Sequence, residues 1–364
     1  MIRRQHMTVN TNRAQRLQKL KRKHARRILF ITFICLTLAG TTILLAFGSR
    51  PGSSAGAGPS STPAVTPTAP VPSLSSGLPV ITSSTSAGKK PYISPAPSVI
   101  ATPAVTPAGS FNNLVNPAGS TIRTRFAVPK GWERVETAQG SFAEYLRELP
   151  LKADGKPLLY WDGKPNDNPA HAAVLDRPMP QRYEQCADTV IHLYADWLYS
   201  TKQYDKLRFT FNNGFVCDFE HYMQGYRPND AVTGWKTQDD YWTGDSRRVY
   251  DLYLQQTFLY ANTASLFKYD LDKVEYADLS IGDLFIVPGF PGHVVIVADM
   301  IVNKTTGEKR FITVQGSMPA VQAHVMLNAE EPEFSPWQSC EIYDGYFVSA
   351  TYWGCPLENI RRFR

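Results

Sequence analysis

The sequence predicts a single α+β domain over residues 121–364, with helices packed on an antiparallel sheet. Two observations predict this class: segments with helical periodicity come first along the chain, and strand-like segments follow from about residue 280. A third observation sets the boundary. The residues before 121 form a basic tail, a long apolar run and a proline-rich stretch, and none of these supplies a folded core.

Three segments carry helix signals. Ser141 and Glu144 have the spacing of a capping box, and Pro150 ends the short helix that they begin. The segments 181–201 and 246–261 are predicted as the two long helices. The residues predicted to face the core are Cys186, Val190, Leu193 and Trp197 in the first of these and Val249, Leu252 and Leu259 in the second.

Short strands are predicted between and after these helices. They cover residues 158–161, 171–175, 208–211, 284–287, 293–300, 310–315 and 321–327. The strands that begin at residues 293 and 310 form a hairpin whose register stays open. With a three-residue loop, 305–307, His293 and Gln315 share a face; with a four-residue loop, 304–307, they do not, because a one-residue slip inverts a strand.

The N-terminus has the pattern of a membrane anchor. Residues 1–27 hold ten Lys and Arg and no acidic residue, and residues 28–47 carry no charge. Twenty helical residues span about 30 Å, the thickness of a bilayer core. The positive-inside rule then predicts a single-pass plasma-membrane protein, with residues 28–48 as a signal-anchor helix, the tail cytoplasmic and the domain outside. A cleaved signal peptide is the alternative, although its apolar region is usually about 7–15 residues long.

Residues 49–120 are predicted to be a disordered linker. They are rich in Pro, Ser and Thr, contain no acidic residue and repeat the hexapeptide TPAVTP at 62–67 and 102–107. Such a segment cannot bury enough apolar surface to fold, and proline keeps it extended at about 3 Å per residue. The linker is therefore a semi-stiff spacer, which fits a domain working in a cell wall or periplasm.

The net charge of +6 is a sum of unlike parts. The tail carries +10 and residues 28–120 carry +3, which leaves −7 for the domain. An acidic domain argues against a nucleic-acid partner. Hydrophobic residues make up 43% of the chain, which excludes a wholly disordered protein. No HExxH, P-loop, GxGxxG or Cys/His metal spacing is present, so no metal or cofactor is predicted.

His293 is the candidate catalytic base. It follows Gly292 and heads an apolar strand, so the sheet would hold its ring at the rim. A histidine base needs a nucleophile beside it and a polar group that fixes its tautomer. A purely structural rim histidine is the alternative.

The pattern GD-x9-H-V-x-I-V around His293 resembles the histidine-bearing hairpin of papain-like cell-wall hydrolases of the CHAP type, which cut amide bonds in peptidoglycan. More broadly, residues 126–364 look like an uncharacterised family of exported bacterial domains, a domain of unknown function. This second resemblance is carried by VPKGW (128–132), SFAEYLR (141–147), LPL (149–151), QCAD (185–188), GYR (225–227), PGH (291–293) and SMPA (317–320).

The papain-like resemblance implies a papain-like fold, with Cys186 as nucleophile, His293 as base and Gln315 as the residue that orients the base. It implies a cysteine amidase or peptidase whose partner is peptidoglycan or a cell-wall protein. The residue pattern leaves the cysteine's role open. The helix dipole lowers the pKa of a cysteine only in the first turn. If the helix starts near Pro180, Cys186 lies beyond that turn and is an inert core residue. The alternative function is a non-catalytic wall- or partner-binding module on a hydrolase-like fold.

The remaining candidates have weaker signals. Cys340 and Cys355 either form a disulfide or stay as separate thiols. His171 begins an apolar strand and is interpreted as structural, and His192 and His324 are predicted to lie on solvated faces. The aromatic stretch 222–242 either lines a glycan groove or packs in the core.

Overall fold

The computed structural model describes residues 114–166, 170–237, 240–289, 292–339, 345–349 and 353–364. The predicted tail, the predicted membrane span and most of the predicted linker lie outside these residues. No helix in the described ranges is long and apolar enough to cross a membrane. Residues 114–120, at the end of the predicted linker, belong to the described chain; Leu114 and Val115 pack against the core, and Val115 forms a bridge with Phe126.

The described residues contain six α-helices: α1 (Ile122–Arg125), α2 (Phe142–Arg147), α3 (Cys186–Ser200), α4 (Phe219–Met223), α5 (Arg247–Tyr260) and α6 (Thr263–Ser265). Helix α2 begins as predicted, because the Ser141 hydroxyl accepts the Glu144 N–H and the Glu144 carboxylate accepts the Gly140 N–H. The two reciprocal bonds satisfy N–H groups that have no partner inside the helix.

The strands of the described chain are β1 (Trp132–Arg134), β2 (His171–Val174), β3 (Arg208–Thr210), β4 (Val216–Asp218), β5 (Tyr226–Pro228), β6 (Trp235–Thr237), β7 (Leu271–Lys273), β8 (Leu284–Val287), β9 (His293–Asn303), β10 (Lys309–Gln315), β11 (His324–Met326), β12 (Gln338–Ser339), β13 (Tyr346–Val348), β14 (Gly354–Pro356) and β15 (Ile360–Phe363). Nine of them form one antiparallel sheet in the order β2-β11-β10-β9-β8-β15-β7, with β1 also paired to β9 and β12 to β10. Helices packed on an antiparallel sheet confirm the predicted α+β class.

Helix α3 packs on β9 and β10 and begins at Cys186, five residues later than predicted. Residues 181–184 form a turn, in which the Glu184 N–H donates to the Gln181 carbonyl at 2.9 Å. Gln185 then adopts an extended backbone conformation (φ −98°, ψ −156°), so the helix can only start after it. Asp188 closes this start by accepting the Gln185 N–H at 2.8 Å. The prediction that the helix begins at residue 181 was wrong.

Helix α5 begins after Ser246, whose hydroxyl accepts the Val249 N–H. Its buried side chains are Val249, Tyr250, Tyr253, Leu254, Thr257 and Phe258. At 100° per residue these cover one half of the helix, and Leu259 projects from the other half. The prediction that Leu259 faces the core was wrong, since it is 56% exposed.

Two predicted strands are shorter than expected. The segment 158–161 makes only isolated bridges, from Leu159 to Pro165 and from Tyr160 to Val321. The segment 321–327 forms a strand only at His324–Met326. This strand, β11, lies between β10 and β2, and all three of its residues are buried.

The β9–β10 hairpin has the four-residue loop 304–307, because Asn303 and Glu308 pair across its base. On the loop side of the register shift Ile312 pairs with Asp299, and on the far side the next residue, Thr313, pairs with Val297. Ala298 is therefore an extra residue, a β-bulge that shifts the register by one. The shift compensates for the loop length and returns His293 and Gln315 to the same face, which the four-residue loop alone would have prevented.

Candidate active site

Cys186 occupies the first position of α3, at the helix N-terminus. The backbone N–H groups of Cys186, Ala187 and Val294 are close enough to its sulfur to lower the thiol pKa. Val294 follows His293 directly, so the sulfur lies beside the start of β9. This position stabilises the thiolate form of a cysteine, because the helix dipole and free N–H groups favour negative charge there.

Burial opposes this effect. Cys186 is only 7% exposed, and desolvation raises the pKa of its thiol to about 11, with a smaller contribution from the negative charge of Asp188. Burial likewise lowers the pKa of His293. Both groups are therefore neutral at pH 7, as a thiol and an imidazole. No hydrogen bond joins the thiol to the ring within the described residues; such catalytic bonds often tighten only when substrate binds.

His293 is held by Gln315, whose Oε1 lies 2.8 Å from the ring Nε2. A carbonyl oxygen only accepts, so Nε2 carries the hydrogen and donates it. Nδ1 is then the unprotonated ring nitrogen, which is the state that a general base requires. The hydrogen bond raises the pKa of His293 and partly offsets the lowering by burial.

A second histidine lies behind Gln315. The Nε2 of Gln315 is 3.1 Å from the Nε2 of His324, and His324 Nδ1 is 2.9 Å from the Gln322 carbonyl oxygen. His324 is 2% exposed, so the prediction that it lies on a solvated face was wrong. All three residues of β11 are buried, so both faces of this strand are covered, while β10 and β2 pair with its two edges.

Two glycines near His293 and Gln315 lie in close contact with neighbouring segments. A side-chain carbon added to Gly316 would collide with Thr189 Oγ1 and lie 3.2 Å from the Gln185 carbonyl oxygen. The residue after Gln315 is thus pressed against the first turn of α3. Gly292 is as tightly placed, since an added carbon would meet Thr263 and the carbonyl oxygens of residues 287 and 289. Neither position leaves space for a larger residue.

Trp353 is a neighbour of His293 that the sequence did not predict. Its ring packs edge-on against the His293 imidazole, with centroids 4.8 Å apart and an interplanar angle of 86°. No local pattern marks it, because it reaches the site from the strand region near the C-terminus, 60 residues after His293.

Several other polar side chains form contacts of their own away from His293. Asp299 is fully buried and forms ion pairs with Arg134 at 2.8 Å and with Arg147 at 2.7 Å, so it has no role at His293. His192 is half-buried rather than solvated, and its Nδ1 lies 2.7 Å from Glu184. Two cavities that adjoin α3 are lined in part by His192. His171 packs edge-on against His324 at 6.4 Å.

The remaining described thiols are shielded from chemistry. Cys217 and Cys355 are free and fully buried, and burial raises the pKa of both, that of Cys355 to about 12. Cys340, for which the sequence left a disulfide with Cys355 and a separate thiol both open, lies outside the described residues. Among the residues the structure describes, no group of three His, Cys, Asp or Glu side chains could hold a metal ion.

The aromatic stretch 222–242 divides between core and surface. Tyr222 is buried, and Trp235 stacks on His221 with centroids 4.3 Å apart. Trp242 is 54% exposed and carries the Arg248 guanidinium over its ring. The stretch therefore holds both packed and exposed aromatic rings.

The fold is an α+β domain in which a helix begins at a cysteine beside the start of β9, and the histidine at that strand start is hydrogen-bonded to a glutamine on the adjacent strand. The chain belongs to the family described as domain of unknown function 4846, whose model matches residues 122–362, about two thirds of its length. This confirms the predicted membership of an uncharacterised domain family. No curated protein and no solved structure matches the chain.

Proposed function

We propose that the domain is a papain-like cysteine hydrolase that cleaves amide bonds, with Cys186 as nucleophile, His293 as base and Gln315 as orienting residue. One observation carries the proposal: the 2.8 Å hydrogen bond from His293 Nε2 to Gln315 Oε1, next to a cysteine at a helix N-terminus. This bond leaves Nδ1 free to accept a proton, which is the task of a base in acyl transfer.

The chemistry starts from a neutral pair. As the Cys186 sulfur attacks the substrate carbonyl carbon, the thiol proton passes to His293 Nδ1 and a carbon–sulfur bond forms. The carbonyl electrons move onto the oxygen, where N–H donors at the start of α3 would stabilise the charge. The intermediate collapses as the carbon–nitrogen bond breaks and Nδ1 returns its proton to the leaving amine. Water, deprotonated by His293, then hydrolyses the thioester and restores the thiol.

The topology supports the papain-like form of this proposal. The cysteine begins a helix that packs on the sheet, the histidine begins the strand beneath it, and the amide ends the neighbouring strand. Chain order is the same as in the resemblance drawn from the sequence: cysteine, histidine, polar residue.

The proposed substrate is the peptide part of peptidoglycan, outside the membrane. This part of the proposal is supported by the sequence alone, through the basic tail, the uncharged run 28–47 and the proline-rich linker. In that arrangement a membrane-anchored domain reaches the cell wall on a spacer.

A non-catalytic binding module is the second candidate. One observation favours it: the Cys186 thiol is 7% exposed and has a pKa raised to about 11. A buried thiol that stays protonated is typical of a structural cysteine. Such a module would bind wall material through the same domain without cleaving it.

Digestion of peptidoglycan by the full-length chain separates the two candidates. The variants are Cys186→Ala and His293→Ala, with Cys355→Ala and His221→Ala as controls that remove another buried thiol and another histidine. A hydrolase releases fragments and new amino groups in wild type and controls and not in the first two variants. Equal release by all five proteins contradicts the assigned triad. Saturable binding without release in any protein contradicts hydrolysis and supports the binding module.

A further inference from the structure

The amide of Gln315 has two orientations with opposite consequences for the site. With Oε1 towards His293, the ring donates from Nε2 and Nδ1 is free to act as a base. With the amide turned over, the Gln315 NH2 group would face the ring, Nε2 would have to accept, and the proton would move to Nδ1. The thiol of Cys186 would then have no acceptor. Something other than His293 must select the first orientation.

His324 can make that selection, because a backbone carbonyl determines where its own proton lies. The Gln322 carbonyl oxygen is 2.9 Å from His324 Nδ1 and can only accept, so Nδ1 carries the hydrogen. In a neutral ring, Nε2 is then an acceptor. It lies 3.1 Å from Gln315 Nε2, and an acceptor there requires the NH2 group of Gln315, not its oxygen. The oxygen is left to face His293, as the 2.8 Å contact requires.

We propose that His324 is a positioning residue that fixes the Gln315 amide and, through it, the His293 tautomer with an unprotonated Nδ1. The inference rests on the proposed hydrolase function. His324 does not touch the reacting atoms. It acts through a chain of hydrogen bonds that runs from the Gln322 carbonyl through His324 and Gln315 to His293, across three adjacent strands.

The surroundings of His324 suit this role. It is 2% exposed, so water does not compete for its ring nitrogens. The titratable groups that influence it are His171, on the flanking strand β2, and His293, on the other side of Gln315. Burial lowers the pKa of His324 to about 4, so the ring remains the neutral acceptor at neutral pH. A protonated ring would instead offer Nε2–H to the amide and favour the wrong orientation.

The tautomers can be read directly in the full-length wild-type protein by ¹⁵N-edited NMR of labelled histidines. We expect the His324 proton on Nδ1 and the His293 proton on Nε2 at pH 7. A His324 proton on Nε2 overturns the inference. This measurement needs no substrate, no activity and no variant, so it is decisive even if hydrolysis is never found.

Variants supply the functional test. His324→Leu removes the acceptor, and we expect a mixture of His293 tautomers and a loss in kcat of about 10- to 100-fold with KM unchanged, as for other residues that orient a site from behind. His324→Gln keeps an oxygen near the position of Nε2 and is expected to restore part of the rate. His171→Phe, which retains an aromatic neighbour, is the matched control with unchanged tautomer and rate.

The outcomes separate this inference from the proposed function. If wild type cleaves peptidoglycan but His324→Leu keeps both the single His293 tautomer and full kcat, His324 has no positioning role. If wild type shows the expected tautomers but no protein cleaves, the positioning stands and the hydrolase proposal fails. If His324→Leu does not fold, the wild-type tautomers and the rate of His324→Gln decide.

Discussion

The Ala298 bulge divides strand β9 into two halves that bury polar groups in different ways. On one side Asp299 is neutralised by Arg134 and Arg147 and also accepts the Met300 N–H at 2.8 Å. On the other side His293 and Gln315 form a chain of neutral groups that ends in a free ring nitrogen. In the ionic half both carboxylate oxygens of Asp299 have hydrogen-bond partners. The neutral half leaves one acceptor unused, and that acceptor is the group that could do chemistry.

The comparison predicts that damage to the neutral half affects activity far more than folding. We expect His293→Ala to reduce hydrolysis about 10⁴-fold or more, because the base is lost, while the free energy of unfolding changes by less than about 2 kcal/mol. Fragment release and urea unfolding measure the two quantities. His221→Ala, which removes a half-buried histidine on α4, serves as the control. If His293→Ala lost stability but kept its rate of hydrolysis, the proposed contrast between the neutral and ionic halves would be contradicted.

Damage to the ionic half is expected to affect folding first. Asp299→Ala leaves two arginines without their partner, and Arg147 is almost completely buried, so the predicted loss in unfolding free energy is about 3–5 kcal/mol. Urea denaturation measures it. The control Asp272→Ala breaks an exposed ion pair with Arg364 and should cost less than about 1 kcal/mol. Equal losses in the two variants would show that Asp299 is not the centre of a buried network.

The close approach between the neutral half and α3 gives a third prediction. Gly316→Ala forces a carbon against Thr189 Oγ1, and we expect a loss of about 1–3 kcal/mol in unfolding free energy. Adding Thr189→Ala should recover part of it, which a double-mutant cycle detects. The control is Gly354→Ala, whose added carbon would find only ordinary contacts at 3.8 Å or more. Additive effects of the first two substitutions would argue against the contact.

The smallest expected effect is a shift in a pH profile. Burial lowers the pKa of His293 and the bond to Gln315 raises it, so Gln315→Leu should lower it further. His293 must be unprotonated to act as a base, and activity is lost as pH falls through its pKa. The acid limb of kcat/KM should therefore lie below pH 6.5 in wild type and move to lower pH in the variant. A limb that stays in place or moves to higher pH would remove Gln315 from the site.

The sequence predicts the fold where local patterns decide the outcome. The capping box at Ser141, the apolar stripe of α3 and the strands that begin at His293 and near Arg310 are set by residues close in sequence, and the structure has them. The predicted start of α3 was wrong because one residue, Gln185, is extended between two segments whose sequences both favour a helix. That correction places Cys186 at the helix N-terminus, which the sequence could not establish.

The site's supporting residues could not be predicted from local sequence. His293 and Gln315 share a face only because of the Ala298 bulge. A single extra residue in a continuously apolar strand does not change the sequence pattern, so the bulge cannot be predicted from it. His324 looked solvated because its strand alternates, yet the strand lies inside the sheet and is buried on both faces. Trp353 reaches His293 only through the tertiary fold.

The neutral state of the Cys186 thiol also bears on oxidation. The thiolate is the form that attacks peroxides and disulfides, and a thiol whose pKa is raised to about 11 is almost entirely protonated at pH 7. A cysteine kept permanently as thiolate would be converted to sulfenic acid or a mixed disulfide wherever oxidants are abundant. Here the reactive form would arise only when a carbonyl substrate draws the proton onto His293, so the resting protein is expected to keep its sulfur reduced without a dedicated reductant.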